Sequence, residues 1–332
     1  MSEDRKRLGA RSEPKASEED GLGARSEPEA SAVRFSHPGA QAPQRQRRVD
    51  SHGVSIAVYE WGDSAAPPLF LAHGGFDFAR TFDGFAPLLA AGGWRVVSWD
   101  HRGHGDSDHT ELYSWDADQR DLLAVVESTT PDPAPALGHS KGGALFTQII
   151  QTLPHRFTRF VCIDGLPVHK AAPDVAERER TRMLTDEVTS WLDRRRRVAT
   201  IVRPPGTIDE LAKRRARMNP RLSHDWLRYL VGAGARHDPD GWRWKIDPSL
   251  RMGGFGPWRQ EWAARRLAGF PIPLLGILGT EAEYMGWGVT ADDLRPFMPG
   301  DAELEEVPGT GHFVHIEKPA ETAARVLEFL SR

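Results

Sequence analysis

The chain has 332 residues, 39% apolar and 27% charged, a balance that suits a soluble globular protein of one large domain or two small ones. A formal net charge of -4 gives no basis for nucleic acid as a partner. No run approaches the ~18 apolar residues of a membrane span, and the single cysteine, Cys162, cannot close an internal disulfide, so the expected setting is a reducing cytoplasm.

The amino terminus is polar and repetitive: LGARSEPKAS from Leu8 recurs as LGARSEPEAS from Leu22. Such segments bury too little apolar surface to offset chain entropy, and residues 1–47 are expected to form a disordered tail. It has no apolar core of the kind a signal peptide carries, and two copies are too few for a solenoid.

From Val49 onward short apolar runs alternate with helical patterns. VSIAVYEW (54–61), PLFLAH (68–73), WRVVSWD (94–100), a short run ending near Leu137, RFVCID (159–164), PLLGILG (273–279) and AELEEVPG (302–309) read as strands. Most are continuously apolar, as strands covered on both faces must be. Helical patterns fall at 78–91, 115–128, 141–153 and 318–330. This alternation implies an α/β fold: a doubly wound, mostly parallel sheet with helices on both faces and ligands at the carboxyl ends of its strands.

Residues 165–268 break the rhythm with Arg- and Trp-rich helical patterns at 173–200, 207–217 and 221–233. They are expected to be a helical lid inserted between the strands RFVCID and PLLGILG, over a core of residues 48–164 and 269–332. Such a lid excludes water and shapes a pocket. One or two of its tryptophans are expected to line that pocket, and Arg194–Arg197 to form a solvated helical face.

Gly138-His139-Ser140-Lys141-Gly142 is a G-x-S-x-G sequence set directly after a strand and before a helix. The glycines permit a sharp turn that lifts the serine hydroxyl above the sheet, and the helix start offers free N–H groups to a negative oxygen. His73-Gly74-Gly75-Phe76 and Asp100-His101-Arg102-Gly103-His104-Gly105-Asp106-Ser107 follow two earlier strands, and Gly309-Thr310-Gly311-His312-Phe313 follows the last.

With HGGF, DHRGHGDS, GHSKGG and GTGHF in this order, the chain resembles the α/β-hydrolase fold family over about residues 49–332, as a serine hydrolase or esterase-like member with a lid. The resemblance implies Ser140 as nucleophile, His312 as general base, and the N–H groups of Gly75 and Lys141 as an oxyanion hole, with Phe76 able to replace Gly75. His139 and His315 are poorer candidates for the base. His101 and His104 look structural, Asp100 and Arg102 are expected to brace their loop, and neither metal nor cofactor is expected.

The acid is the open position. The family commonly places it after the penultimate strand in a G-x-x-D pattern, but Gly279-Thr280-Glu281-Ala282 ends in alanine. Glu281 or Glu283 could reach back. Asp164 could serve instead, since some members, certain haloalkane dehalogenases among them, carry the acid after the strand that ends there. A serine at the elbow excludes the aspartate nucleophile of dehalogenases and epoxide hydrolases. The expected activity is hydrolysis of a carboxylic ester, thioester or lactone on a small molecule with an apolar acyl or aryl group. The alternatives are C–C bond hydrolysis and a binding or regulatory protein with a degenerate triad.

Overall fold

The computed structural model describes residues 35–111, 113–167, 177–200, 203–250, 264–286 and 288–332. The tail repeat and two tryptophans of the expected lid, Trp258 and Trp262, lie outside the described residues. In chain order the strands are β1 (Arg45–Ser51), β2 (Val54–Trp61), β3 (Pro68–Ala72), β4 (Arg95–Trp99), β5 (Ala134–His139), β6 (Phe157–Ile163), β7 (Ala235–Asp238), β8 (Gly241–Trp244), β9 (Leu274–Gly279) and β10 (Glu303–Val307). Eight of them form one sheet in the order β1-β2-β4-β3-β5-β6-β9-β10. The β1–β2 and β2–β4 pairings are antiparallel and all others in this sheet are parallel.

Apolar residues on both faces of the central strands explain why helices cover both. One core lies between the sheet and two helices, α2 (Trp115–Thr129) and α3 (Lys141–Thr152), through Leu122, Val126, Leu145 and Phe146. The other lies under α1 (Ala86–Ala91) and the final helix (Pro319–Leu330), through Leu89, Val326 and Phe329. The Ser114 hydroxyl caps α2 by accepting from the Ala117 N–H at 3.2 Å. The single helix expected over residues 78–91 is in fact a 3₁₀ segment (Ala79–Gly84) followed by α1. Pro87 stands where a helix tolerates it, inside the first turn, and so restarts the helix there.

The expected tail reaches too far into the domain. β1 begins at Arg45, the Phe35 ring meets Trp242 edge-on at 5.7 Å, and the Gln41 carbonyl accepts from the Trp61 indole at 2.9 Å. β1 reads as polar because charge rather than apolar burial holds it. Arg45 and Arg47 donate to the buried Glu60 on the neighbouring strand at 3.1 and 3.0 Å, beside Arg95 at 2.8 Å.

Between β6 and β9, the sixth and seventh strands of the sheet, stand α4 (Glu177–Val198), α5 (Ile208–Ala216) and α6 (His224–Gly234). The β7–β8 hairpin follows them, so this insert is not wholly helical. Thr207 and Glu210 form a reciprocal capping box on α5, and Ser223 caps α6.

Candidate active site

Ser140 stands between β5 and α3 at φ 51° and ψ -118°, a backbone that side chains rarely adopt. Its N–H donates to the Ile163 carbonyl at 3.0 Å, which ties the turn to the end of β6. The flanking glycines are sterically required. A Cβ on Gly138 would lie 2.4 Å from the Gly143 nitrogen, and one on Gly142 would lie 2.2 Å from the Ala72 carbonyl oxygen. Lys141 opens α3, so its N–H has no intrahelical acceptor. Its ammonium turns away to pair with Asp118 at 2.7 Å and does not line the cavity described below.

The three candidate carboxylates take different places. Asp164 directly follows β6 with φ 43°, donates its N–H to the Ile277 carbonyl at 2.8 Å, and is buried. Its Oδ2 is hydrogen-bonded to Nδ1 of the buried His312. Glu283 accepts the backbone N–H of His312 at 2.6 Å, and burial raises its carboxyl above the ordinary range. Glu281 is exposed; its N–H donates to the Thr310 carbonyl at 2.9 Å, and among the described residues its carboxylate accepts only from the Thr280 hydroxyl, at 3.3 Å. Of the three, only Asp164 touches the imidazole.

The His312 loop is fastened by more charge than the sequence reading identified. Glu317 accepts the Gly311 N–H at 2.9 Å, and Arg221 donates to Glu317 at 2.9 Å and to the Gly309 carbonyl at 2.6 Å. The only advance signal was the position of Glu317, five residues past His312 at the start of the last helical stretch. His139 Nε2 donates to the His312 carbonyl at 2.9 Å, while His315 is buried against Phe82 with ring centroids 5.1 Å apart. Burial holds His315 at about 3 and His139 well below the usual histidine range, so neither is a competent base near neutral pH.

The loops after β3 and β4 interlock through neutral imidazoles. His73 Nε2 accepts the His101 N–H at 3.0 Å, and His104 Nε2 accepts the Phe76 N–H at 3.2 Å. The second bond occupies the N–H considered as a replacement oxyanion donor, and it leaves Gly75 and Lys141 as the candidate pair. Burial holds His101 and His104 at about 3. Asp100 accepts N–H bonds from Ala79 and Asp106, each at 2.7 Å, and Arg102 grips Asp121 through two bonds of 2.6 Å. No group of three or more His, Cys, Asp or Glu that could hold a metal occurs among the described residues.

A cavity of about 370 Å³ opens beside Gly75 and Phe313, neighbours of the oxyanion loop and of His312. Leu211, Met218, Trp242, Trp244 and Ile246 of the insert and Met285 of the loop after β9 supply apolar walls. Arg203, Arg214, Arg215 and Arg243 supply its charge, and none of the described residues that line it is acidic.

Parallel strands that deliver a strained serine and a carboxylate-bound histidine to one sheet edge define a hydrolase architecture. The chain belongs to the alpha/beta hydrolase family, whose profile matches residues 69–325. It is 35% identical over 121 residues to a serine hydrolase-like protein of Dictyostelium discoideum, covering 35% of this chain and 33% of that protein. It is 25% identical over 291 residues to an sn-1-specific diacylglycerol lipase of Mus musculus, covering 81% of this chain and 83% of the lipase. Its structure matches the thioesterase domain from the curacin biosynthetic pathway with a TM-score of 0.72 at 22% identity, over 86% of this chain and 99% of that domain. No helix among the described residues is long and apolar enough to cross a membrane.

Proposed function

We propose that the protein is a serine hydrolase that cleaves a carboxylic ester, or a thioester or lactone, through an acyl-enzyme on Ser140. The observation that carries this reading is the hydrogen bond between Asp164 and His312 Nδ1. With Nδ1 committed to the carboxylate, Nε2 is left as the lone-pair nitrogen that accepts a proton. Ser140 Oγ attacks the carbonyl carbon while its proton passes to His312. The tetrahedral oxygen takes the N–H groups of Gly75 and Lys141, each worth about 2.7–4 kcal/mol in comparable sites. Collapse expels the alkoxide, which leaves with the proton held on His312. Water, deprotonated by the same imidazole, then hydrolyses the acyl-enzyme. Asp164 is the third member of this triad, and Glu283 acts on the backbone of His312 rather than on its ring. The insert serves as the lid, placing Trp242 and Trp244 against the apolar part of the substrate.

The lipase among the relatives supports acyl chemistry. The deciding measurement is the intact mass of the purified protein after a fluorophosphonate probe, alongside turnover of p-nitrophenyl esters. One adduct on Ser140, absent from Ser140→Ala together with the ester turnover, is the expected result. An unlabelled Ser140 in folded protein that turns over no ester would remove the serine-hydrolase reading.

A further inference from the structure

The four guanidinium groups around the cavity are not equivalent. Arg215 is neutralised by Asp77 at 3.0 Å, and Arg243 by Asp238 and Asp240 at 2.9 and 2.5 Å. Arg203 and Arg214 have no carboxylate within ion-pair distance among the described residues. Arg203 donates to the Ile246 carbonyl and Arg214 to those of Pro204 and Pro205, the last two at 3.3 and 3.5 Å. Both are partly buried, beside Trp242, Trp244 and Leu211.

Glu210 lies near Arg214 as Asp247 lies near Arg203, but a partly buried cation beside an apolar wall with no direct carboxylate contact is costly and is usually matched to one. Carbonyl bonds orient Arg203 without cancelling its charge. The environment also bears on the group: burial lowers the Arg203 guanidinium below its usual range, against the opposing pull of Asp247. Asp247 is itself engaged by the Tyr113 hydroxyl and the Ser249 N–H, the latter at 2.7 Å. An arginine fork accepts a carboxylate through two parallel bonds, a geometry that ammonium cannot reproduce.

We infer that Arg203 and Arg214 form a carboxylate-binding subsite in the acyl pocket, and that the substrates are esters or thioesters whose far end carries a free carboxylate, the hemi-esters of aliphatic diacids. This inference rests on the serine-hydrolase reading for its chemistry but not for its binding. The apolar walls take the methylene chain, and the two arginines take the terminal anion. Neutral acyl chains lack the second contact and leave the two guanidinium groups with only the longer-range pull of Asp247 on Arg203 and of Glu210 on Arg214.

Two measurements test it. The first compares kcat/KM for p-nitrophenyl hemi-esters of diacids from succinate to sebacate with their methyl-capped counterparts, at low and high salt. At the best chain length the free acid is favoured about tenfold or more, and added salt erodes the preference. In Arg203→Met and Arg214→Met the ratio of acid to capped ester falls toward one, and Arg203→Lys restores only part of it. The second is independent of turnover: adipate, suberate and octanoate are titrated into Ser140→Ala, read by calorimetry and by tryptophan fluorescence. The dicarboxylates bind more tightly than octanoate, and adding Arg203→Met abolishes the difference. Equal turnover of free and capped esters at every length, or equal binding of dicarboxylate and octanoate, overturns the subsite. Loss of all turnover with the binding preference intact would instead remove the serine-hydrolase reading alone.

Discussion

Asp164 reaches His312 from a left-handed backbone at φ 43°, a conformation that Asp tolerates better than most residues. Phe76 at φ 59° and Ser140 share that region, so three of the four positive-φ non-glycine residues among those described surround one site. Strain of this kind costs about 1–3 kcal/mol per residue and persists where the surroundings enforce it. If the proposed triad is right, Asp164→Asn lowers kcat about 10³–10⁴-fold while the fluorophosphonate still reaches Ser140 slowly. Glu283→Gln keeps an acceptor for the His312 N–H and loses less than about tenfold, whereas Glu283→Ala loses more. Kinetics on the three variants decide between them, and a collapse in both Glu283 variants with Asp164→Asn spared would hand the acid role to Glu283. The places of Ser140 after β5 and of His312 after β10 were legible in the sequence because a local motif marks each one. Which of three carboxylates meets the imidazole was not, because that contact joins residues 148 positions apart.

The elements around the site are locked to one another by side chains that must stay neutral. His104 receives the Phe76 N–H while its Nδ1 hydrogen-bonds the Arg102 carbonyl at 3.0 Å, which fixes the loop after β3 against the loop after β4. Folded His104 is held at about 3 by burial, while the unfolded chain takes up a proton near 6.5. Its folded value is lowered, so below pH 6.5 the unfolded state binds the extra proton and stability falls. His104→Asn removes that dependence. The stability gap between wild type and variant should therefore narrow by about 1.4 kcal/mol per pH unit as pH drops below 6.5, in urea melts at pH 7 and 5. A gap independent of pH would mean that His104 is charged in the fold. Apolar periodicity located most strands and α2 and α3 to within a residue or two, because their burial is one-sided or complete. It joined Ala79–Gly84 to α1 because a 3₁₀ turn and an α-helix bury similar patterns. It also missed that Arg194, within a run of four arginines, binds the carbonyls of Ser249 and Pro248 at 3.0 and 3.1 Å.

Across the whole molecule, the segment before β1 joins insert and core. Phe35 packs on Trp242 and against Gly232, His37 packs edge-on to Trp226 at 4.9 Å, and the Gln41 N–H donates to the Asp83 carbonyl at 2.8 Å. A chain starting at Arg45 should therefore melt about 3–6 °C below one starting at Phe35, by calorimetry, with the loss concentrated in the insert. Identical melting would show that the segment contributes nothing. Its low apolar content concealed it in the sequence, since two aromatic anchors and a ladder of backbone bonds leave little periodic trace.

The order β5-β6-β9-β10 carries a consequence for how such a protein diversifies. With the proposed acid at the end of β6, the nucleophile and its carboxylate ride on adjacent strands, about 4.8 Å apart. The loop after β9 is then relieved of proton chemistry and keeps braces on the His312 loop, Glu283 and Thr280 among them, and a wall residue, Met285. Ala282 in that loop is exposed and has no group that could carry a proton. A lineage could rewrite residues 284–286 to suit a new acyl chain while Asp164, His312 and the brace at Glu283 passed through every intermediate unchanged.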